Sequence, residues 1–80
     1  MKVFHTATSS KAFDEAPPEV QKSFLKQAGF LKKNLQYPSL HARKYDESGD
    51  LWQARVNKSW RFYFKIIKAT YLILDIIPHP

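Results

Sequence analysis

The stretch Leu51-Trp52-Gln53-Ala54-Arg55-Val56-Asn57-Lys58-Ser59-Trp60-Arg61-Phe62-Tyr63-Phe64 constrains the fold more than any other part of the chain. Successive side chains of a strand point to opposite faces, so alternate positions sort into two sets. Trp52, Ala54 and Val56 form one set before the turn near Asn57-Lys58-Ser59, and Trp60, Phe62 and Phe64 continue it afterwards. Gln53, Arg55 and Asn57, then Arg61, Tyr63 and Lys65, form the other. Such a hairpin has an aromatic side that needs burial and a cationic side that calls for an anionic partner.

The remaining elements follow from capping residues and periodicity. Lys2 to Thr6 reads as a short strand. Thr8-Ser9-Ser10 reads as the cap of a short helix ending at Ala16, a serine hydroxyl taking an amide of the first turn. Pro17-Pro18 closes that helix and opens the next, since proline suits a helix start. Pro18 to Leu35 carries Val20, Phe24, Leu31 and Leu35 at near-helical spacing, with Leu25 and Ala28 widening the stripe. Lys22, Lys26, Lys32 and Lys33 fall largely off it and read as a solvated face. Gly29 weakens this helix, and a close approach to a sheet would account for it. Tyr37-Pro38 stops the helix.

Leu40 to Tyr45 reads as a strand with His41, Arg43 and Tyr45 on one face. Asp46 to Asp50 is a polar loop, and Lys68-Ala69-Thr70 is a turn without the glycine or asparagine that tight hairpins prefer. Tyr71 to Ile77 is apolar on both faces apart from Asp75, which predicts a central or doubly covered strand. The order is one strand, two helices and four strands. This predicts an α+β fold: two N-terminal helices on one face of a mainly antiparallel sheet, the other face open. Residues 1–80 form one domain.

A chain of 80 residues buries a modest core, roughly 60% of the surface of its unfolded form. It has no cysteine, so neither a disulfide nor a thiolate metal site can reinforce that core, and a reducing cytoplasm is the expected location. An aromatic content of 15% must supply the packing instead. No apolar run approaches the ~20 residues of a membrane span, and the N-terminus does not read as a secretory signal. The three histidines lack helical pairing and acidic company, so no metal and no cofactor are expected. The net charge of +6 favours nucleic acid or another acidic partner.

The candidates for that partner's site are His41, Arg43, Gln53, Arg55, Arg61, Tyr63 and His79, with Lys58 at the hairpin turn. If the strands pair in sequence order, alternation can bring many of them to one face. Arginine makes paired, charge-assisted bonds to two phosphate oxygens and keeps its proton. Single-stranded RNA could lie there, with phosphates on the cations and bases on aromatic rings. RNA cleavage then needs no metal. The ribose 2′-hydroxyl attacks phosphorus, arginines stabilise the added charge, and histidine can move protons. Arg61 and Arg55 are the candidate stabilisers and His79 the candidate acid, while Gln53 cannot be the base. The plainer reading is solvated strand residues and an idle terminal histidine.

These residues carry a family resemblance. Pro38-x-Leu40, Asp50-Leu51-Trp52-x-Ala54-Arg55-Val56, Trp60-Arg61-Phe62-x-Phe64 and an apolar strand ending in His79 resemble the RelE/ParE superfamily of type II toxin–antitoxin toxins. The resemblance spans nearly the whole chain and implies a curved antiparallel sheet. Its RelE-like branch implies a ribosome-dependent messenger RNA endoribonuclease. Its ParE-like branch implies a non-enzymatic poison of DNA gyrase, and a non-toxic RNA-binding module is the third reading. The resemblance also implies a cognate antitoxin that covers the basic surface. It places Arg61 at a phosphate-binding position, Arg55 at a substrate-facing cation and His79 near a catalytic position of the last strand. Gln53 stands where some members carry a base, so His41 is the candidate replacement. The sequence has no counterpart after His79 of the segment that supplies an aromatic or a helix in other members, which points to altered activity.

Overall fold

The computed structural model describes residues 1–80. Strand β1 (Lys2–His5) is followed by helices α1 (Ala7–Glu15) and α2 (Pro18–Lys33), then strands β2 (Arg43–Asp46), β3 (Leu51–Arg55), β4 (Trp60–Ile67) and β5 (Thr70–Pro78). The five strands form one sheet in the order β1-β5-β4-β3-β2. β1 runs parallel to β5, and every other pairing is antiparallel. The expected α+β layering holds. Phe24 and Leu31 of α2 pack with Phe62, Phe64 and Ile73 of the sheet, all almost fully buried. Phe24 meets Phe62 edge-on at 5.2 Å between ring centroids. Trp52 and Trp60 are partly buried at the margin of this core.

Local boundaries differ from the sequence reading for identifiable reasons. α1 starts one turn earlier, because Thr6 is its cap: the Thr6 Oγ1 accepts from the Ser9 amide at 3.1 Å. α2 ends at Lys33, with Asn34 extended, and Leu25 projects away from the core at 61% exposure. The expected strand from Leu40 to Tyr45 begins only at Arg43. Pro38 instead opens a single 3-10 turn, Pro38–Leu40, which drives Leu40 completely into the core. Asp46 organises the β2–β3 loop by accepting from the Ser48 amide and hydroxyl and from the Gly49 amide.

A bulge in β5 departs from the sequence reading. Phe64 pairs with Ile73 and Tyr63 with Asp75, leaving Leu74 as an extra residue. Strict alternation would put Asp75, Ile77 and His79 on the helix-covered side with Tyr71 and Ile73. The bulge shifts the parity, so Ile76 takes the next core position at 3% exposure. Thr6 holds the bulge: its amide donates to the Ile73 carbonyl at 3.0 Å and its hydroxyl to the Leu74 carbonyl at 3.2 Å. β5 is interior to the sheet as expected, but its second face is not covered, and Ile77 is 37% exposed. The Asp75 carboxylate, half-buried, accepts from the Ile76 amide at 2.9 Å.

Two backbone positions yield stability predictions. A Cβ at Gly29 would meet nothing within 4 Å, so no close approach to the sheet requires glycine there. Gly29→Ala is expected to stabilise the fold by about 1 kcal/mol, read from urea unfolding. A loss of stability would show that the helix interior is not where glycine is disfavoured. In the β4–β5 turn, Lys68 and Ala69 both have positive φ, 45° and 59°. This two-residue hairpin geometry is strained for any residue with a Cβ. Ala69→Gly should relieve about 1 kcal/mol of that strain, and an unchanged unfolding midpoint would refute it.

Candidate nucleic-acid interface

β3 and β4 supply the centre of the site. Arg55 and Arg61 are direct cross-strand partners, as are Gln53 and Tyr63, so all four point to the sheet face opposite the helices. Arg43 pairs with Gln53 and brings a third guanidinium to that face. The 3-10 turn then contributes His41, whose left-handed backbone (φ 46°, ψ 42°) ends the turn after the buried Leu40. From the other side, the β5 bulge returns His79 to the open face, and the His79 amide donates to the Ser59 carbonyl at 2.7 Å. His41, Arg43, Gln53, Arg55, Arg61 and His79 together line an open cleft of about 530 Å³ with no carboxylate on its wall.

Each polar group in this cleft has a distinct role. Arg61 is only 9% exposed. Its Nη1 donates to the Asn57 and Trp60 carbonyls, each at 3.0 Å, and to Lys58 at 3.4 Å, which ties the β3–β4 turn to the strand. The other guanidinium nitrogens make no hydrogen bond within the protein, and no fully buried side-chain nitrogen lacks a partner, so they keep access to solvent at the cleft that Arg61 lines. Burial, chiefly, and then the Arg55 charge push the pKa of the Arg61 guanidinium below its ordinary value; Tyr63 opposes this, and Arg43 adds a smaller lowering effect. Three like charges held together in one cleft repel one another, and a bound anion offsets that repulsion. Gln53 is nearly buried and donates from Nε2 to the Tyr63 hydroxyl at 2.9 Å. Tyr45 meets the Tyr63 ring edge-on at 5.5 Å.

Of the residues expected at the site, six converge in the cleft. Tyr63 lies behind it as the partner of Gln53, with its own hydroxyl proton free to donate. Lys58 lies outside it and lines a neighbouring groove of about 350 Å³, together with Ser23, Lys26, Gln27 and Asn57. Arg55 and His41 line both spaces, so the two adjoin. Sequence reasoning missed the α2 side of this groove. Its one signal was Gln27, a polar residue at a position of the buried stripe formed by Val20, Phe24, Ala28 and Leu31.

Comparison with known proteins places this architecture. No family model and no curated protein sequence matches the chain. Solved structures do. The YoeB/ParE toxin from Agrobacterium tumefaciens superposes with a TM-score of 0.83 over 100% of both chains, at 12% identity. The archaeal RelE–RelB complex from Pyrococcus horikoshii matches at 0.80 over 96% of this chain and 92% of that one, at 21% identity. The isolated Escherichia coli RelE toxin matches at 0.79 over 99% and 84%, at 11% identity. The chain therefore has the RelE/ParE fold, two helices on one side of a five-stranded sheet. No helix is long and apolar enough to cross a membrane.

Proposed function

We propose that the protein is the toxin of a type II toxin–antitoxin system, an endoribonuclease that cuts messenger RNA held by the ribosome. The observation that carries this reading is the convergence of Arg43, Arg55, Arg61, His41 and His79 on one cleft free of carboxylates. The fold likeness to RelE and YoeB toxins supports it. A cognate antitoxin covering the cleft is the expected partner, as RelB and YefM accompany the RelE and YoeB of solved complexes.

The chemistry follows from the residues. A phosphodiester lies against Arg55 and the open edge of Arg61. The neighbouring 2′-hydroxyl loses its proton to His41 as its oxygen bonds to phosphorus. The P–O5′ bond breaks, and His79 gives a proton to the departing 5′ oxygen. A 2′,3′-cyclic phosphate and a 5′-hydroxyl result, so atoms and charge balance. Arginines suit this reaction because negative charge accumulates on the phosphoryl oxygens in the transition state. Tyr63, aligned by Gln53, presents its ring and hydroxyl to a base beside the cleft.

Inducible expression followed by primer extension on cellular messages tests this directly. His79→Gln and His41→Asn should each slow cleavage by about 10²–10⁴-fold. Asparagine at position 41 keeps the left-handed backbone at little cost, so the loss would report on the imidazole. Wild-type cleavage by both variants would remove the histidines from the reaction. Intact messages with inhibited DNA supercoiling would move the protein to the gyrase-directed reading. Unchanged growth would leave only a non-toxic binding module.

A further inference from the structure

Lys26 and Lys58 both line the groove between α2 and the β3–β4 turn, and neither has a carboxylate partner. The molecule's ion pairs all involve Lys44, with Glu47 and Asp50. Lys26 instead sits with its ammonium 6.0 Å from the centre of the Phe30 ring. The groove has a rigid floor. Gln27, at 6% exposure, donates from Nε2 to the Ser39 and Arg55 carbonyls, each at 2.9 Å, and accepts from the Ser39 hydroxyl at 2.9 Å. One buried amide thus fixes α2, the 3-10 turn and β3 relative to one another. The walls add the Ser23 hydroxyl and Asn57, and no acidic residue.

We propose that this groove is a second phosphate subsite, which holds the backbone phosphate next to the one at Arg55 and Arg61. The proposal rests on the reading of the main cleft as an RNA site. Its distinguishing observations are the shared wall formed by Arg55 and His41, the two unpaired lysines and the pre-set amide floor. A continuous strand leaving the main cleft past His41 enters this groove directly. The ligand chemistry is a sugar-phosphate backbone without base readout, because the walls present cations and hydroxyls to a charged, unshaped ligand. Lys26 then acts as part of the substrate grip and Gln27 as a positioning residue beneath it.

The test measures binding of 2′-O-methyl RNA, which lacks the attacking hydroxyl and stays intact. A dinucleotide with one phosphate and a hexanucleotide are titrated across a salt series with wild type, Lys26→Gln, Lys26→Gln/Lys58→Gln and Arg55→Ala. The double variant should lower the hexanucleotide's salt slope by about 0.7, the value for one lost single-strand phosphate contact. Lys26→Gln should weaken hexanucleotide binding and leave dinucleotide binding unchanged, whereas Arg55→Ala should weaken both. A double variant with the wild-type slope overturns the subsite while sparing the main cleft. Equal weakening of both oligonucleotides by Lys26→Gln overturns it in favour of diffuse attraction. Wild type that binds neither oligonucleotide overturns the subsite, while the main cleft, which acts on messages held by the ribosome, stands or falls on the primer extension. An unchanged RNA slope with weakened capture of an acidic antitoxin segment assigns the groove to protein instead.

Discussion

Arg55→Ala is expected to slow message cleavage by about 10²–10³-fold and to leave thermal unfolding where wild type has it. The Arg55 side chain makes no hydrogen bond within the protein, and its backbone carbonyl stays pinned by Gln27 whatever the side chain. Its removal therefore subtracts charge from the cleft without loosening the fold. Arg61→Ala should behave differently. The guanidinium holds the β3–β4 turn through the Asn57, Lys58 and Trp60 carbonyls while its free edge faces the cleft. Truncation should lower both cleavage and stability, the latter by about 2 kcal/mol, as for hydrogen bonds to a charged group. The contrast identifies the two roles: primer extension reports the chemistry and urea unfolding the anchoring. Wild-type cleavage by Arg55→Ala would make this arginine a solvated strand residue and leave the cleft without a transition-state stabiliser.

The hairpin at the centre of the site was legible in the sequence because its turn is short and its alternation unbroken from Leu51 to Arg55 and from Trp60 to Phe64. Arg55 and Arg61 face the same way for that reason, as do Gln53 and Tyr63. His79 is a candidate from its position at the end of the last strand, and the resemblance agrees, but its route to the cleft is not legible. Counting by twos from Tyr71 leads to the buried side, and only the extra residue at Leu74 reverses this. The apolar positions of Tyr71 to Ile77 fit a regular strand equally well, and the one cue to a bulge is Asp75, which strict alternation would bury beside Tyr71 and Ile73. His41 was assigned to a strand because Leu40 and Ala42 flank it. Pro38 and the burial of Leu40 instead produce a 3-10 turn, and His41 reaches the cleft through a left-handed backbone. The second groove depends on contacts between residues remote in sequence, 12 apart for Gln27 and Ser39 and 28 for Gln27 and Arg55. Local patterns do not encode such pairings. Gln27 was the one visible clue, a polar residue among the buried positions Val20, Phe24, Ala28 and Leu31.

Phe62→Ala should remove a large share of the stability of the fold. Phe62 is fully buried, paired with Ala54 on β3 and Ile76 on β5, with Phe24 of α2 edge-on above it. Loss of such a ring costs about 3–5 kcal/mol, the transfer energy plus the cavity left behind. A domain of this size is stable by only about 4–12 kcal/mol, and with no cysteine it has no covalent reinforcement. The site shares that fate, because Phe62 lies between Arg61 and Tyr63 in β4 and its burial sets which face those two present. Phe62→Leu retains most of the volume and should lose less, with the cleft intact. Urea unfolding followed by circular dichroism measures both. A loss below 1 kcal/mol in Phe62→Ala would mean that the helical layer does not hold the sheet in register, and the convergence of cations on the opposite face would need another cause.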